Sequence, residues 1–85
     1  MQIAVIGTGY VGLVTAAVFA DLGNDVIAVD IDEGKIKELK AGKMPFYEPG
    51  LEEMVQRNFE DGRLQFTADT AEAVEASEVI FICVD

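Results

Sequence analysis

Short runs of apolar residues recur along the chain and are separated by longer stretches with helical character. Continuous apolar runs of this length are typical of strands that a parallel sheet covers on both faces. Three such runs and one brief alternating run, the third in order, predict four strands. They are Ile3–Ile6, Val26–Val29, Leu64–Phe66 and Val79–Val84.

The stretches between these runs predict helices with recognisable ends. The first begins at Val11 and stops at Gly23, and the second is capped by Asp32 and ends near Gly42. Leu51, Met54, Val55 and Phe59 recur at helical spacing and predict a third. Glu48 resembles its cap, with Pro49 at the first helical position. A fourth starts at Asp69, where Glu72 three residues later resembles a capping box.

Alternation of strands and helices predicts an α/β fold with one open parallel sheet. The fourth strand should cross to the far side of the first, which gives the strand order 3-2-1-4. With 85 residues the chain is too short for a two-domain enzyme, and it stops directly after its most apolar run. We therefore expect residues 1–85 to be the N-terminal portion of a single domain.

Composition narrows the choice of partners. Sixteen acidic and six basic residues give a formal net charge of −10, which disfavours nucleic acid and anionic membranes as partners. Cys83 is the single cysteine, and the start of the chain lacks the features of a signal peptide. We expect a cytoplasmic protein that does not enter membranes.

The first predicted strand leads into Gly7, Thr8, Gly9, Tyr10, Val11 and Gly12, a G-x-G-x-x-G motif that opens the first helix. The first glycine allows a tight turn, the second allows backbone to approach a pyrophosphate, and the third allows close packing of helix on sheet. A glycine-rich turn needed only for packing would look the same. The setting between strand and helix favours a Rossmann-like dinucleotide site.

Asp30 ends the second strand, where a Rossmann fold places an acid that accepts hydrogen bonds from the adenosine ribose. Lys35 follows close enough to that acid to reach the adenosine ribose region, although spacing alone favours a solvent-facing lysine of an amphipathic helix. Cys83 has no histidine in the chain to act as its base, which favours a buried structural thiol. Asp85 follows the fourth strand, at the expected switch point of the sheet or at a frayed end. We assign no metal ligand.

Together these residues resemble the UDP-glucose and GDP-mannose 6-dehydrogenases. The stretches that carry the resemblance are IAVIGTGYVGLV from Ile3, VDIDEGKI from Val29, PFYEPGL from Pro45, GRLQFT from Gly62 and FICV from Phe81. Many Rossmann proteins share the glycine motif, whereas the P-x-x-E-P-G-L element is found in a much narrower group. With Tyr47 before its glutamate, this element most resembles that of the UDP-glucose branch.

The resemblance implies an NAD-binding fragment of a nucleotide-sugar 6-dehydrogenase that oxidises UDP-glucose to UDP-glucuronate with two NAD. It implies that the segment from Thr8 to Gly12, Asp30, Lys35, Val84 and Asp85 contact the cofactor. The family's catalytic residues lie in later segments, so we expect the fragment alone to be inactive and its parent to be a homo-oligomer that binds the nucleotide sugar. A GDP-mannose enzyme and a non-catalytic nucleotide-binding module remain alternatives.

Overall fold

The computed structural model describes residues 1–84 and contains four strands and four helices in alternating order, with two helices between the second and third strands. The strands are β1 (Gln2–Ile6), β2 (Asp25–Val29), β3 (Leu64–Thr67) and β4 (Val79–Ile82). The helices are α1 (Tyr10–Asp21), α2 (Glu33–Lys40), α3 (Leu51–Glu60) and α4 (Thr70–Ala76).

All strand pairs are parallel, and the sheet order is β3-β2-β1-β4, which confirms the prediction. Ile3 is aligned with Val26 of β2 on one side and with Val79 of β4 on the other. β1 is therefore a central strand, and the carboxyl ends of β1, β2 and β4 lie at one edge of the sheet.

Three helices cover one face of the sheet. Buried side chains from alternate strand positions meet α1, α2 and α3 in a single core; on the strands these are Ile3, Val5, Val26, Ala28, Leu64 and Phe66. Their period of two follows from the pleat of a strand. α1 contributes leucine and alanine to this core, and its small side chains allow close approach to the sheet.

The other face is covered more sparsely. Ala73 of α4 is buried there against Ala4 and Val29. On β4, Phe81 stacks on Phe19 of α1 with ring centroids 5.0 Å apart, whereas Ile80 and Ile82 on the opposite face are 41% and 73% exposed. The fourth strand thus lies at the sheet edge with one apolar face open.

Helix ends match the sequence predictions at two positions and differ at one. Asp32 and Asp69 accept hydrogen bonds from the N–H groups of Lys35 and Glu72, as their spacing predicted. The cap predicted at Glu48 is wrong, because α3 begins at Leu51 with Gly50 as its N-cap at φ +83°. Glu48 instead opens a tight turn whose carbonyl accepts from the Leu51 N–H, with glycine at the position where a type II turn needs positive φ.

The predicted fourth strand is also two residues too long. β4 ends at Ile82, although the Cys83 N–H still donates to the Ile6 carbonyl at 2.7 Å. Beyond that bond β1 turns away at Gly7, so there is no continuing partner strand for Val84. Cys83 is only partly buried against the core rather than fully buried.

No helix within residues 1–84 combines the length and the apolar character that a membrane span requires.

Candidate functional site

Gly7 makes the turn at the end of β1. Its φ is +106°, and a Cβ at this position would lie 2.7 Å from the Cys83 carbonyl oxygen. Both the backbone conformation and the space therefore require glycine. The Gly7 N–H donates to the Val29 carbonyl at 2.7 Å, so the turn is fixed to the end of β2.

Gly12 sits in the first turn of α1 and is fully enclosed. A Cβ there would overlap the carbonyl oxygen of Gly7, which is a backbone atom that cannot move aside. The helix can reach its position over the turn only because this residue lacks a side chain. This close approach is the one that the third glycine of the motif predicted.

Gly9 is the N-cap of α1 and has φ −70° and ψ −171°, an extended conformation open to any residue. Its carbonyl accepts from the Leu13 N–H at 2.9 Å. Within residues 1–84 no side chain caps this helix end, and its first turn carries no acidic residue. The first amides of a helix have no acceptor inside the helix, so this end of α1 offers a donor set suited to an anion.

Asp30 follows β2 at the same edge and lies directly beside the glycine motif. Its Oδ2 accepts from the Thr8 hydroxyl at 2.6 Å and from the Thr8 N–H at 3.2 Å. Its Oδ1 accepts from the Asp32 N–H at 3.0 Å. This bond between Thr8 and the acid was not predictable from the sequence, because it joins residues of two separate loops.

The pKa of the Asp30 carboxyl lies below its ordinary value. Partial burial raises it, but the hydrogen bonds from the Thr8 hydroxyl and from the backbone of Asp32 and Thr8, together with the charge of Lys35, lower it further. Asp30 is therefore a carboxylate at neutral pH, able to accept but not to donate hydrogen bonds.

Lys35 lies one turn into α2, and its ammonium nitrogen is 3.5 Å from Asp30 Oδ2. The side chains are 35% and 15% exposed, so the pair stands at the rim of the site rather than in bulk solvent. Spacing alone favours a solvent-facing lysine, whereas the structure pairs Lys35 with the acid. Its contact with the adenosine ribose stays a prediction.

A small cleft opens between the ends of β1, β2 and β4. It is lined by Ile6, Gly7, Val29, Asp30, Ile31, Thr70 and Val84. Sequence reasoning assigned no role to Ile31 or Thr70. The isoleucine is 86% exposed and directly follows the acid, an unusual place for an apolar side chain and a signal that could have been used.

Larger clefts lie elsewhere, between α2 and α3, around Phe46 and Tyr47, along α2, and between α1 and the start of α3. None of these four is lined by Asp30, and Tyr10, in the cleft between α1 and α3, is the one residue of the glycine motif that lines any of them. The smaller cleft is the better candidate because it is lined by Asp30 and by Gly7 of the glycine motif, although it is not the largest.

The other predicted site residues within residues 1–84 lie at the same edge or beside it. Tyr10 and Val11 are 50% and 61% exposed at the start of α1. The Tyr10 ring packs on Phe46 with centroids 5.3 Å apart, and the Glu48 carboxylate raises the pKa of Tyr10. Val84 is 64% exposed and lines the cleft. Asp85 falls outside the described residues.

A parallel sheet of this order, a glycine turn under the start of α1 and an acid at the end of β2 define the class of a Rossmann dinucleotide-binding domain. Over residues 1–85 the chain matches the model of the NAD binding domain of the UDP-glucose/GDP-mannose dehydrogenase family. The chain belongs to this family, and NAD is its dinucleotide.

Named relatives of both branches resemble the chain over nearly its whole length. UDP-glucose 6-dehydrogenase of Rhizobium meliloti (strain 1021) is 56% identical over 84 residues, which are 99% of this chain and 19% of that protein. GDP-mannose 6-dehydrogenase of Pseudomonas savastanoi pv. phaseolicola is 45% identical over 99% of this chain and 19% of its own length. The chain thus spans about a fifth of the length of the curated relatives it matches.

Solved structures agree with this placement. GDP-mannose dehydrogenase from Pseudomonas aeruginosa, determined as a ternary complex, superposes with a TM-score of 0.95 at 45% identity, over 100% of this chain and 20% of that one. UDP-glucose dehydrogenase from Pyrobaculum islandicum superposes with a TM-score of 0.91 at 44% identity, over 96% of this chain and 19% of that one. At these identities both the fold and the family are shared.

Proposed function

We propose that residues 1–85 are the first part of an NAD-binding domain whose parent is a UDP-glucose 6-dehydrogenase, oxidising UDP-glucose to UDP-glucuronate with two NAD. The observation that carries the proposal is the contact between Thr8 and Asp30. It places an ionised acid next to the start of α1, so the groups that recognise ribose and pyrophosphate in a Rossmann site are neighbours.

In this proposal the pyrophosphate lies at the N-terminus of α1, over Gly9, Tyr10, Val11 and Gly12. Backbone N–H groups and the helix dipole favour an anion there even in a chain of net charge −10. The donor set fits, since the described part of the chain puts no acidic side chain in that first turn.

Asp30 accepts hydrogen bonds from the adenosine ribose, and Lys35 holds the same region from α2. The Oδ1 atom of Asp30 has one described donor, the Asp32 N–H, and can accept a further hydrogen bond. Ile31 and Val84 offer exposed apolar surface on either side of the cleft, which suits the face of a flat aromatic base. Asp85 completes the proposed cofactor-contacting set.

NAD supplies the hydride acceptor when it is bound, and the described residues bind and orient it. The catalytic groups that the resemblance implies belong to later segments, so this chain alone is expected to have no turnover. The preference for UDP-glucose rests on Tyr47 and on the identities of 56% and 55% with the UDP-glucose 6-dehydrogenases of Rhizobium meliloti and Bacillus subtilis. We further propose a cytoplasmic, homo-oligomeric parent.

Calorimetric titration of the chain with NAD, ADP-ribose, NADP and UDP-glucose tests the proposal. NAD and ADP-ribose should bind with similar affinity, because both carry the pyrophosphate and the adenosine ribose, and NADP should bind more weakly. UDP-glucose should not bind. Absence of heat with NAD, or tight binding of UDP-glucose, would contradict the assignment of this site.

The parent activity needs a separate assay, in which the complete protein is supplied with UDP-glucose or GDP-mannose and NADH formation is followed. Faster turnover of GDP-mannose would select the other branch. Turnover of neither sugar by a protein that binds NAD would favour a non-catalytic module.

A further inference from the structure

Thr8 occupies the second position of the glycine motif, and its side chain is fully buried. A buried hydroxyl must find a partner, and a nearby backbone carbonyl is the common choice. Here the hydroxyl instead reaches a side chain 22 residues away, at 2.6 Å from Asp30 Oδ2. The partner is the acid at the centre of the proposed site.

Two donors of Thr8 converge on the same oxygen, since its N–H also lies 3.2 Å from Asp30 Oδ2. Lys35 adds a third contact to this oxygen at 3.5 Å. Oδ1 has the Asp32 N–H at 3.0 Å as its donor within residues 1–84. Each carboxylate oxygen accepts about two hydrogen bonds, so Oδ2 is saturated and Oδ1 keeps capacity for a further donor.

We infer that Thr8 is a positioning residue for ribose recognition, which orients the Asp30 carboxylate so that Oδ1 faces the ligand, without touching the cofactor through its own side chain. This inference rests on the proposed NAD site. It gives the loop position between the first two glycines a role that the backbone alone does not provide.

The geometry separates this role from general packing. A threonine that only filled space would be replaceable by valine, which has nearly the same shape. In contrast, loss of the hydroxyl removes the shortest contact of Oδ2 and leaves it with one amide donor and a partly exposed lysine. The carboxylate would then be held less firmly about its side-chain torsion.

The test uses Thr8→Val, Thr8→Ser and Thr67→Val in the full 85-residue chain. Thr67 is the matched control, because it also lies at the end of a strand and its hydroxyl also forms a hydrogen bond. That hydroxyl accepts from the Asp69 N–H and makes no hydrogen bond with the Asp30 carboxylate. Calorimetry compares NAD with an NAD analogue whose adenosine ribose lacks the 2′-hydroxyl.

For Thr8→Val we expect NAD to bind roughly tenfold more weakly, the size expected for one hydrogen bond to a charged group. The ratio of NAD affinity to the affinity of the deoxy analogue should also fall in this variant. Thr8→Ser and Thr67→Val should keep the ratio of the unmodified chain. In an Asp30→Ala background, Thr8→Val should cost nothing further, because the group it orients is gone.

Equal weakening of both ligands by Thr8→Val, or an unchanged cost in the Asp30→Ala background, would overturn the inference. If the valine variant fails to fold, Thr8→Cys, a weaker donor of similar size, should give an intermediate ratio, and an unchanged ratio would count against the role.

A ligand-free measurement distinguishes this inference from the proposed function. NMR titration of the Asp30 carboxyl should show a higher pKa in Thr8→Val than in the unmodified chain. An unchanged titration would refute the positioning role even if NAD binds. If the unmodified chain does not bind NAD, the ribose site is wrong, whereas the titration still decides whether Thr8 holds Asp30.

Discussion

The ammonium nitrogen of Lys35 lies 3.5 Å from Oδ2 of Asp30, so α2 places a positive charge beside the acid that follows β2. The lysine does not neutralise the site completely, because its side chain is 35% exposed and water screens the pair. Any group added to the ribose beside Asp30 would meet both charges.

This arrangement predicts a preference for NAD over NADP. A 2′-phosphate about 4 Å from the carboxylate would be repelled by roughly 4 kcal/mol per charge pair at an effective dielectric near 20, with salt and Lys35 offsetting part of it. We expect a preference of at least about a hundredfold, since each tenfold is about 1.4 kcal/mol. Asp30→Ala should both weaken NAD binding and reduce the ratio of NAD affinity to NADP affinity. Calorimetric titration with both dinucleotides measures the two affinities. An unchanged ratio would refute the ribose role of Asp30.

Replacing Gly9 with valine should abolish NAD binding and leave the fold intact. The backbone at Gly9 is extended, with φ −70°, so a side chain is tolerated locally. The new side chain would occupy the space proposed for the pyrophosphate. Circular dichroism verifies folding, and calorimetry measures affinity. A folded variant that binds NAD as before would show that the ligand does not approach this residue.

Gly12→Ala should destabilise the fold itself, because its Cβ would overlap the Gly7 carbonyl oxygen. Displacing α1 to relieve the overlap should cost about 1–3 kcal/mol in the free energy of unfolding. Gly34→Ala on α2 is the matched control. Its Cβ would lie 3.3 Å from the side-chain oxygen with which Asp32 caps α2, so that side chain must shift by a few tenths of an ångström. No backbone atom of residues 1–84 is overlapped, however, and alanine is a better helix former than glycine. Urea unfolding of both variants gives the comparison, and equal stability of the two would contradict the packing role.

Asn58 should be a second stability determinant, far from the site. Its buried carboxamide donates to Asp21 and to the Met54 carbonyl, and accepts from Arg63. Asn58→Ala leaves these partners incompletely bonded and should lower the free energy of unfolding by about 1–3 kcal/mol. Gln56→Ala, on an exposed position of the same helix, should change it by less than about 0.5 kcal/mol. Thermal unfolding distinguishes the two.

Stability should fall in acid. The pKa values of Asp30 and Asp21 are lowered in the folded chain, the latter chiefly by its hydrogen bond with Arg57. Their stabilising contribution is therefore present above the unfolded value near 4 and is lost as pH falls through the lower folded values. Unfolding curves between about pH 2 and 7 should show a shallower decline for Asp30→Asn and Asp21→Asn than for the unmodified chain. An identical decline in these variants would contradict the assignment.

The sequence predicted the positions of the strands and helices, because apolar runs, glycines and capping acids are local signals. It also predicted the strand order, because crossover connections in parallel sheets follow a general rule. It misplaced the start of α3, since Pro49 followed by Gly50 also suits a tight turn, and only the path of the chain selects between the two. The Thr8 to Asp30 bond and the Asn58 network were not predictable from local pattern. Both depend on polar groups from distant segments being buried together, which requires the fold first.

The pairing of β1 with β4 bears on the order in which the protein can be completed during synthesis. Residue 3 is aligned with residue 79, so β1 is paired on both of its sides only after β4 has also been made. Contacts between such remote parts of a chain close slowly. Until Ile82 has left the ribosome, one side of β1 lacks its partner strand and is open to pairing with other chains.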